Sequence, residues 1–207
     1  MADGMMIRGP QYGGTGSFTP PTASRTGAQR TALAQGRYSD SASQGRVFWG
    51  ANQSAATWSV ALAATHTGLV LSNPRGSRVD LHVLMAGFAL TVAPAGIASI
   101  GFFGGYDPAG IVTHTTPLTA LCMILDQDQA ASVGKIDAAA TLPGTPRWLT
   151  PFMGGFTAAA LPSTGPALID LGGVFIVPPG SYFGIGALTA AVGLGSLVWE
   201  EVPRLDQ

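Results

Sequence analysis

Three histidines are the first residues to test for chemistry in this chain: His66, His82 and His114. None lies in a His-x-His or His-Glu-x-x-His spacing, which would place two imidazoles on one strand or helix where they share a metal ion. The sequence therefore predicts no metal site. We expect His82 within the face of a sheet, and His66 and His114 in threonine-rich turns.

Nucleophilic and phosphate-binding motifs are equally sparse. A Ser/His/Asp site can in principle assemble from distant residues, but the chain has no Gly-x-Ser-x-Gly elbow. Lys135, the single lysine, lacks the glycine spacing and the following Ser or Thr of a P-loop. Cys122, the single cysteine, cannot form an intramolecular disulfide. We therefore expect no catalytic residue and no cofactor, and we interpret the protein as a non-enzyme.

Two pairs of acidic residues are the remaining candidates for chemistry. Asp126 and Asp128 lack the further acids and the central glycine of an EF-hand loop, so we expect a solvated loop tip. Glu200 and Glu201 are adjacent, and neighbouring residues of a strand point to opposite faces. They are therefore not expected to serve one catalytic centre, and we expect one of them to pair with an arginine.

Composition limits the class of protein. The chain has 207 residues, of which 46% are hydrophobic and only 10% charged, and its net charge is -1. One domain with a sizeable core is expected, and a disordered or highly charged helical protein is excluded. No global basic field would draw the chain to nucleic acid or to an anionic membrane. The first residues do not resemble a secretory signal, so we expect synthesis in the cytoplasm.

Residues 1–45 differ from the rest and are predicted to form an extended N-terminal arm before a β-sandwich domain over residues 46–207. Small polar residues dominate this stretch, and it buries too little apolar area to order alone. Through Arg46 it carries 5 arginines against 2 aspartates, whereas the rest of the chain carries 5 basic and 9 acidic residues. The arm's candidate partner-binding residues are Arg8, Arg25, Arg30 and Arg37.

Short apolar runs separated by Gly, Pro, Asn and Asp follow the arm, as is typical of an all-β, antiparallel sandwich or barrel. Eight to ten strands are predicted, at residues 46–51, 57–61, 68–72, 79–93, 97–104, 118–125, 147–156, 167–177, 182–187 and 196–202. Asn73–Ser77 is expected to turn between two of them. Pro178–Gly180 has the Pro and Gly of a type II turn. The uncharged stretch 81–106 is better explained by two of these strands than by a membrane helix, because Pro94 and Gly96 interrupt it.

The predicted strand over 79–93 is apolar on both faces. One face would carry Leu81, Val83 and Met85, and the other Leu84 and Phe88. An antiparallel sheet normally exposes one polar face to water, so a doubly apolar strand predicts a cover on each side. A second subunit is a suitable cover, and we expect a ring-shaped or trimeric oligomer.

Three segments together resemble small virion proteins of tailed bacteriophages. They are Gly68–Leu84 with its Asn-Pro-Arg-Gly-Ser turn, Val177–Gly186 with its Pro-Pro-Gly turn, and Gly195–Pro203 with Trp-Glu-Glu. The resemblance covers residues 46–203 and rests on turns and strand pattern. No catalytic residue transfers with it.

The resemblance implies a jelly-roll-like domain that trimerises and attaches to the exterior of a capsid as a cement or decoration protein. The arm would reach over neighbouring subunits, and the major capsid protein or another virion protein would be the partner. Head-to-tail adaptors and tail or spike components with a host-recognition, glycan-binding role share this pattern and stay open as alternatives. A hydrolase or metal enzyme on the same scaffold is the least supported interpretation.

Overall fold

The computed structural model describes residues 22–23, 29–30, 37–58, 62–92, 98–106, 111–125, 131–156 and 167–204. The chain divides into two compact units, Met1–Arg37 and Tyr38–Gln207. In the first unit, strand β1 (Thr22–Ala23) pairs antiparallel with β2 (Gln29–Arg30). Most of the expected arm, including Arg8 and Arg25, lies outside the described residues.

The second unit contains one short helix and a series of strands. Helix α1 spans Ser39–Ser43. The strands are β3 (Val47–Ala51), β4 (Ala56–Trp58), β5 (Thr65–Ser72), β6 (Val79–Val92), β7 (Ala98–Tyr106), β8 (Thr113–Leu118), β9 (Leu121–Cys122), β10 (Lys135–Thr141), β11 (Arg147–Phe156), β12 (Ala167–Val177), β13 (Ser181–Ala187) and β14 (Ala191–Pro203).

The strands form two antiparallel sheets. Sheet 1 has the order β11-β7-β13-β5-β10-β8, and sheet 2 has the order β12-β6-β14-β3-β9, with β4 also pairing with β14. Eight of these strands divide between the sheets as the strands of a jelly roll do, with the order β12-β6-β14-β3 in sheet 2 and the order β11-β7-β13-β5 in sheet 1. The predicted all-β, jelly-roll-like sandwich is confirmed.

The main core lies between the inner faces of the two sheets. Strand β14 shows the pattern clearly, because Leu197, Trp199 and Glu201 are buried while the residues between them are partly exposed. Phe102, Phe183 and Phe175 form an aromatic group across the sheets, with ring centroids 5.2–5.9 Å apart. Burial of each large apolar side chain contributes about 1.5–3 kcal/mol, so this layer dominates stability.

Most predicted strands are confirmed, and so are both predicted turns. The Ser181 amide donates to the Pro178 carbonyl at 3.0 Å, and Gly180 has φ +84°, as a type II turn requires. Strands β8 and β10 were not predicted. They belong to an insertion, residues 111–142, that adds two strands beside β5 in sheet 1 and the short β9 in sheet 2.

The predicted faces of β6 are wrong beyond Val83. Val198 pairs with Met85, but the next residue, Trp199, pairs with Val83, so Leu84 is the extra residue of a β-bulge. The bulge reverses the alternation. Leu81 and Val83 therefore share the core with Ala86 and Phe88.

The uncharged stretch 81–106 contributes to β6 in sheet 2 and β7 in sheet 1, and residues 93–97 between them lie outside the described residues. Across the described ranges, no helix is long and apolar enough to cross a membrane.

Candidate functional site

The insertion brings together the clearest pair of chemically active side chains. Strand β8 places His114 opposite Ala140 of β10, and β10 in turn pairs with β5. His114 Nδ1 lies 2.7 Å from Asp137 Oδ2. Asp137 is fully buried and its Oδ1 has no hydrogen-bond partner among the described residues, whereas the His114 side chain is 38% exposed.

Burial controls the electrostatics of this pair. Desolvation raises the pKa of the Asp137 carboxyl, and the hydrogen bond and charge of His114 oppose that shift. A carboxylate at Nδ1 fixes the orientation of the ring and leaves Nε2 as the nitrogen open to another partner. The buried acid therefore acts as the support for a partly exposed imidazole.

His114 lines a pocket of about 140 Å³ on the outer side of sheet 1. The remaining walls are residues 72–75, Ile111, Val112, Gly180 and Ser181. The Ser72 hydroxyl lies 3.5 Å from the Lys135 carbonyl, which orients it towards the strand. The two turns that the sequence predicted, Asn73–Ser77 and Pro178–Gly180, thus form one end of the pocket.

The Asn73 side chain makes this end rigid. Its Nδ2 donates to the Val79 carbonyl at 2.9 Å and to the Val177 carbonyl at 2.8 Å, which ties β6 and β12 to the turn. The Gly180 amide donates to the Asn73 carbonyl at 2.9 Å. Arg75 projects from a turn whose backbone is therefore fixed at both ends.

The expected positions of His66 and His114 in turns are wrong, because both lie in strands, β5 and β8. The threonines beside them favour strand as well as turn. Pairing of β5 and β8 with β10 makes both segments strands. His82 lies in the sheet, in β6, as predicted. Sequence reasoning missed Asp137 and Arg75 as site residues. The one signal for Asp137 is a lone acid in the otherwise apolar run Ile136–Ala140.

His66 is a buried histidine on the outer side of sheet 1. Its residue exposure is 1%, and its ring lies 4.6 Å from that of Phe103 in an edge-on arrangement. Neither ring nitrogen has a hydrogen-bond partner of normal geometry among the described residues. Burial lowers the pKa of His66 to about 4, and the nearby Ile185 backbone only partly opposes this.

Glu200 and Glu201 face opposite sides of β14, as predicted. Glu200 pairs with Arg46 at 3.4 Å, which confirms the expected arginine partner. Glu201 is buried, and its Oε1 accepts hydrogen bonds from the Ser132 hydroxyl and the amides of Val133 and Gly134 at 2.7–3.0 Å. It therefore anchors the insertion to the jelly roll.

The outer face of sheet 2 presents a second candidate surface. Edge strand β12 exposes 68% of Leu168, 79% of Val174 and 52% of Ile176. Tyr38, which precedes α1, reaches Asp170 of the same strand with its hydroxyl 3.4 Å from Oδ1. Apolar side chains of this size at one edge indicate a surface suited to a partner.

The remaining predicted site residues have limited structural context. Arg30 lies in β2 and Arg37 is exposed, while Asp126 and Asp128 are outside the described residues. In the part of the chain that the structure describes, no three His, Cys, Asp or Glu side chains are grouped to hold a metal ion.

Comparison with protein-family models, curated proteins and solved structures returns no match to this chain.

Proposed function

We propose that the protein is a structural component of a tailed-phage virion, a decoration or cement protein that self-associates and binds the capsid exterior. The observation that carries the proposal is the exposed apolar edge on β12, formed by Leu168, Val174 and Ile176. Such an edge is costly in a free monomer and is removed from water by a second subunit.

Two further observations support a structural role. The two sheets together contain twelve strands, β3 to β14, and eight of them form the jelly roll. The sequence before it is rich in Gly, Ser and Thr and carries Arg8, Arg25, Arg30 and Arg37. A segment of this composition binds by ordering on a surface, where it wraps a large area and gains avidity from repeated copies.

Among the alternatives, a glycan-binding role at the tail or spike would use exposed aromatic side chains. Trp58 and Trp199 are buried in the core, so only Trp49 and Trp148 among the tryptophans are available. Both are partly buried, so neither offers a fully exposed ring on which a sugar could stack. We therefore retain the capsid role as the conclusion.

The experiment is a particle-binding assay with a truncated chain. Mass photometry of the purified full-length chain should give a trimer, and cosedimentation with capsids lacking the protein should be saturable. Deletion of residues 1–36 should abolish cosedimentation and leave the trimer intact, because Tyr38–Gln207 is a compact unit by itself. Equal binding by the truncated chain would exclude the arm as the capsid anchor.

A matched variant separates arm length from arm charge. Replacement of Arg8, Arg25, Arg30 and Arg37 by Gln keeps the arm but removes four of its charges. Weaker binding that recovers at low salt would assign a role to the arginines, since exposed charges are screened by salt. Binding unchanged from the full-length chain would exclude them as partner-binding residues.

A further inference from the structure

The pocket between the insertion and the two turns has a composition that the proposed structural role does not use. Its walls include two side chains that can carry positive charge, Arg75 and His114, and two hydroxyls, Ser72 and Ser181. None of the described residues that line it is acidic. Cationic and hydroxyl donors without carboxylates among these residues favour an anion as the ligand.

The His114–Asp137 pair makes one of these donors directional. Asp137 is fully buried 2.7 Å from Nδ1, so it fixes the orientation of the imidazole. Nε2 is the ring nitrogen that Asp137 leaves open, and it donates a hydrogen bond when it carries a proton. Arg75 supplies the permanent positive charge among the described residues that line the pocket.

The size of the pocket limits which ligands it can hold. A volume of about 140 Å³ is close to that of a cavity that holds benzene, so the part of a ligand that enters the pocket has about that size. Ile111, Val112 and Pro74 supply apolar wall beside the polar donors. A planar carboxylate on a short aliphatic stem matches both parts, because a guanidinium binds it through two parallel hydrogen bonds.

We propose that this pocket binds a single carboxylate on a short aliphatic stem. Arg75 and His114 Nε2 hold the carboxylate oxygens, the Ser181 hydroxyl completes the polar side, and Ile111 and Val112 contact the stem. The same chemistry is present in a free short-chain acid and in a glutamate side chain of a protein partner. This inference is independent of the proposed virion role.

Titration of the full-length chain, followed by the side-chain NMR signals of Arg75 and His114, tests it. Propionate should bind saturably, whereas propionamide, its neutral counterpart of the same shape, should cause no saturable shift. A capped Gly-Glu-Gly peptide that binds tighter than propionate would identify the protein-borne source, and weaker binding would identify the free acid. Equal shifts with propionate and propionamide, or saturable binding of inorganic phosphate only, would overturn the proposal.

Substitutions provide a second test of the proposal. Arg75→Gln should weaken propionate binding at least tenfold, and Arg78→Gln, which removes a charge three residues away from outside the pocket, should leave it unchanged. Arg75 is exposed in a turn, so its loss does not threaten the fold. His114→Gln should also weaken binding, with thermal unfolding as the check on its fold. Propionate binding by Arg75→Gln at the wild-type affinity would contradict the assignment.

Discussion

The two sheets differ in how the apolar side chains on their outer faces are covered. In sheet 1, Val70, Phe103, Ala140, Leu142 and Tyr182 form a second buried cluster on the side away from the main core. Leu62 and Val112, from connections between strands, pack against this cluster. In sheet 2, the exposed edge at Leu168, Val174 and Ile176 has no comparable cover among the described residues.

The difference shows what a doubly apolar strand does and does not predict. Such a strand requires a cover on both faces, but the cover can come from the same chain. Sheet 1 is covered by its own insertion and loops, which bury Phe103 completely. Among the described residues, the cover on the outer face of sheet 2 is Tyr38–Arg46, which crosses from Asp170 to Glu200. The uncovered edge of sheet 2 therefore indicates a partner.

Removal of an aromatic ring from the covered face should have the largest effect. Phe103 is fully buried. A Cβ added at Gly184 would clash with its ring and one at Gly186 would contact the ring tightly, so the ring fills the space that these glycines leave. Phe103→Ala should lower the free energy of unfolding by about 3–5 kcal/mol, measured by urea denaturation. Ile176→Ala, at 52% exposure on the uncovered face, is the matched control. We expect it to cost under ~1 kcal/mol, and similar losses for both variants would contradict the comparison.

Acid should lower the free energy of unfolding through His66, which lies on the covered face. Folded His66 stays neutral down to pH about 4, whereas in the unfolded chain it binds a proton near its ordinary value of 6.5. Between these values the unfolded state holds more protons, so stability falls as the pH falls, by about 3 kcal/mol in total.

The measurement is urea denaturation at steps between pH 7 and 4 on the wild type and on His66→Leu, which cannot titrate there. The raised pKa of Asp137 adds the same contribution to both proteins and cancels in the difference. The wild type should lose stability over this range relative to the variant. Parallel curves would show that His66 takes up its proton at the same pH in the folded and the unfolded chain, which contradicts the prediction.

The two adjacent glutamates of β14 allow an outward-facing side chain, Glu200, to be compared with an inward-facing one, Glu201. Glu201 accepts three hydrogen bonds from residues 132–134, so Glu201→Gln should cost about 1–2 kcal/mol by weakening charge-assisted hydrogen bonds. Glu200→Gln weakens a single ion pair with Arg46, in which the side chains are 32% (Arg46) and 16% (Glu200) exposed, and should cost less, under ~1 kcal/mol. Thermal unfolding of both variants distinguishes them, and the reverse order would refute the anchoring role of Glu201.

The sequence predicted the parts of this fold that depend on local pattern. The Pro178–Gly180 turn and the opposite faces of Glu200 and Glu201 follow from residue type and spacing, and both are confirmed. Strand β8, with the sequence Thr-His-Thr-Thr-Pro-Leu, has no apolar alternation and is exposed along most of its length. It is a strand because β10 pairs with it, and no local signal reports that pairing.

The candidate site was missed for a related reason. His114 and Asp137 are 23 residues apart, and only the register of β8 against β10 brings them together. The β6 bulge at Leu84 is similarly invisible, because an apolar residue on each face fits either register. What sequence reasoning lacked in both cases was the partner strand, not the residue type.

The smallest expected effect on folding comes from the uncovered edge, and it is also the sharpest test of what that edge does. Val174 is 79% exposed beside the Gly172–Gly173 bulge of β12, so Val174→Asp should change the free energy of unfolding by under ~0.5 kcal/mol. Self-association should be lost, because a buried, unpaired carboxylate at a subunit contact is strongly unfavourable. Sedimentation velocity over a range of concentrations measures this, with Thr116→Asp on exposed strand β8 as the charge-matched control. If Val174→Asp assembles as the wild type does, the edge of β12 is not the contact between subunits and another surface must bear it.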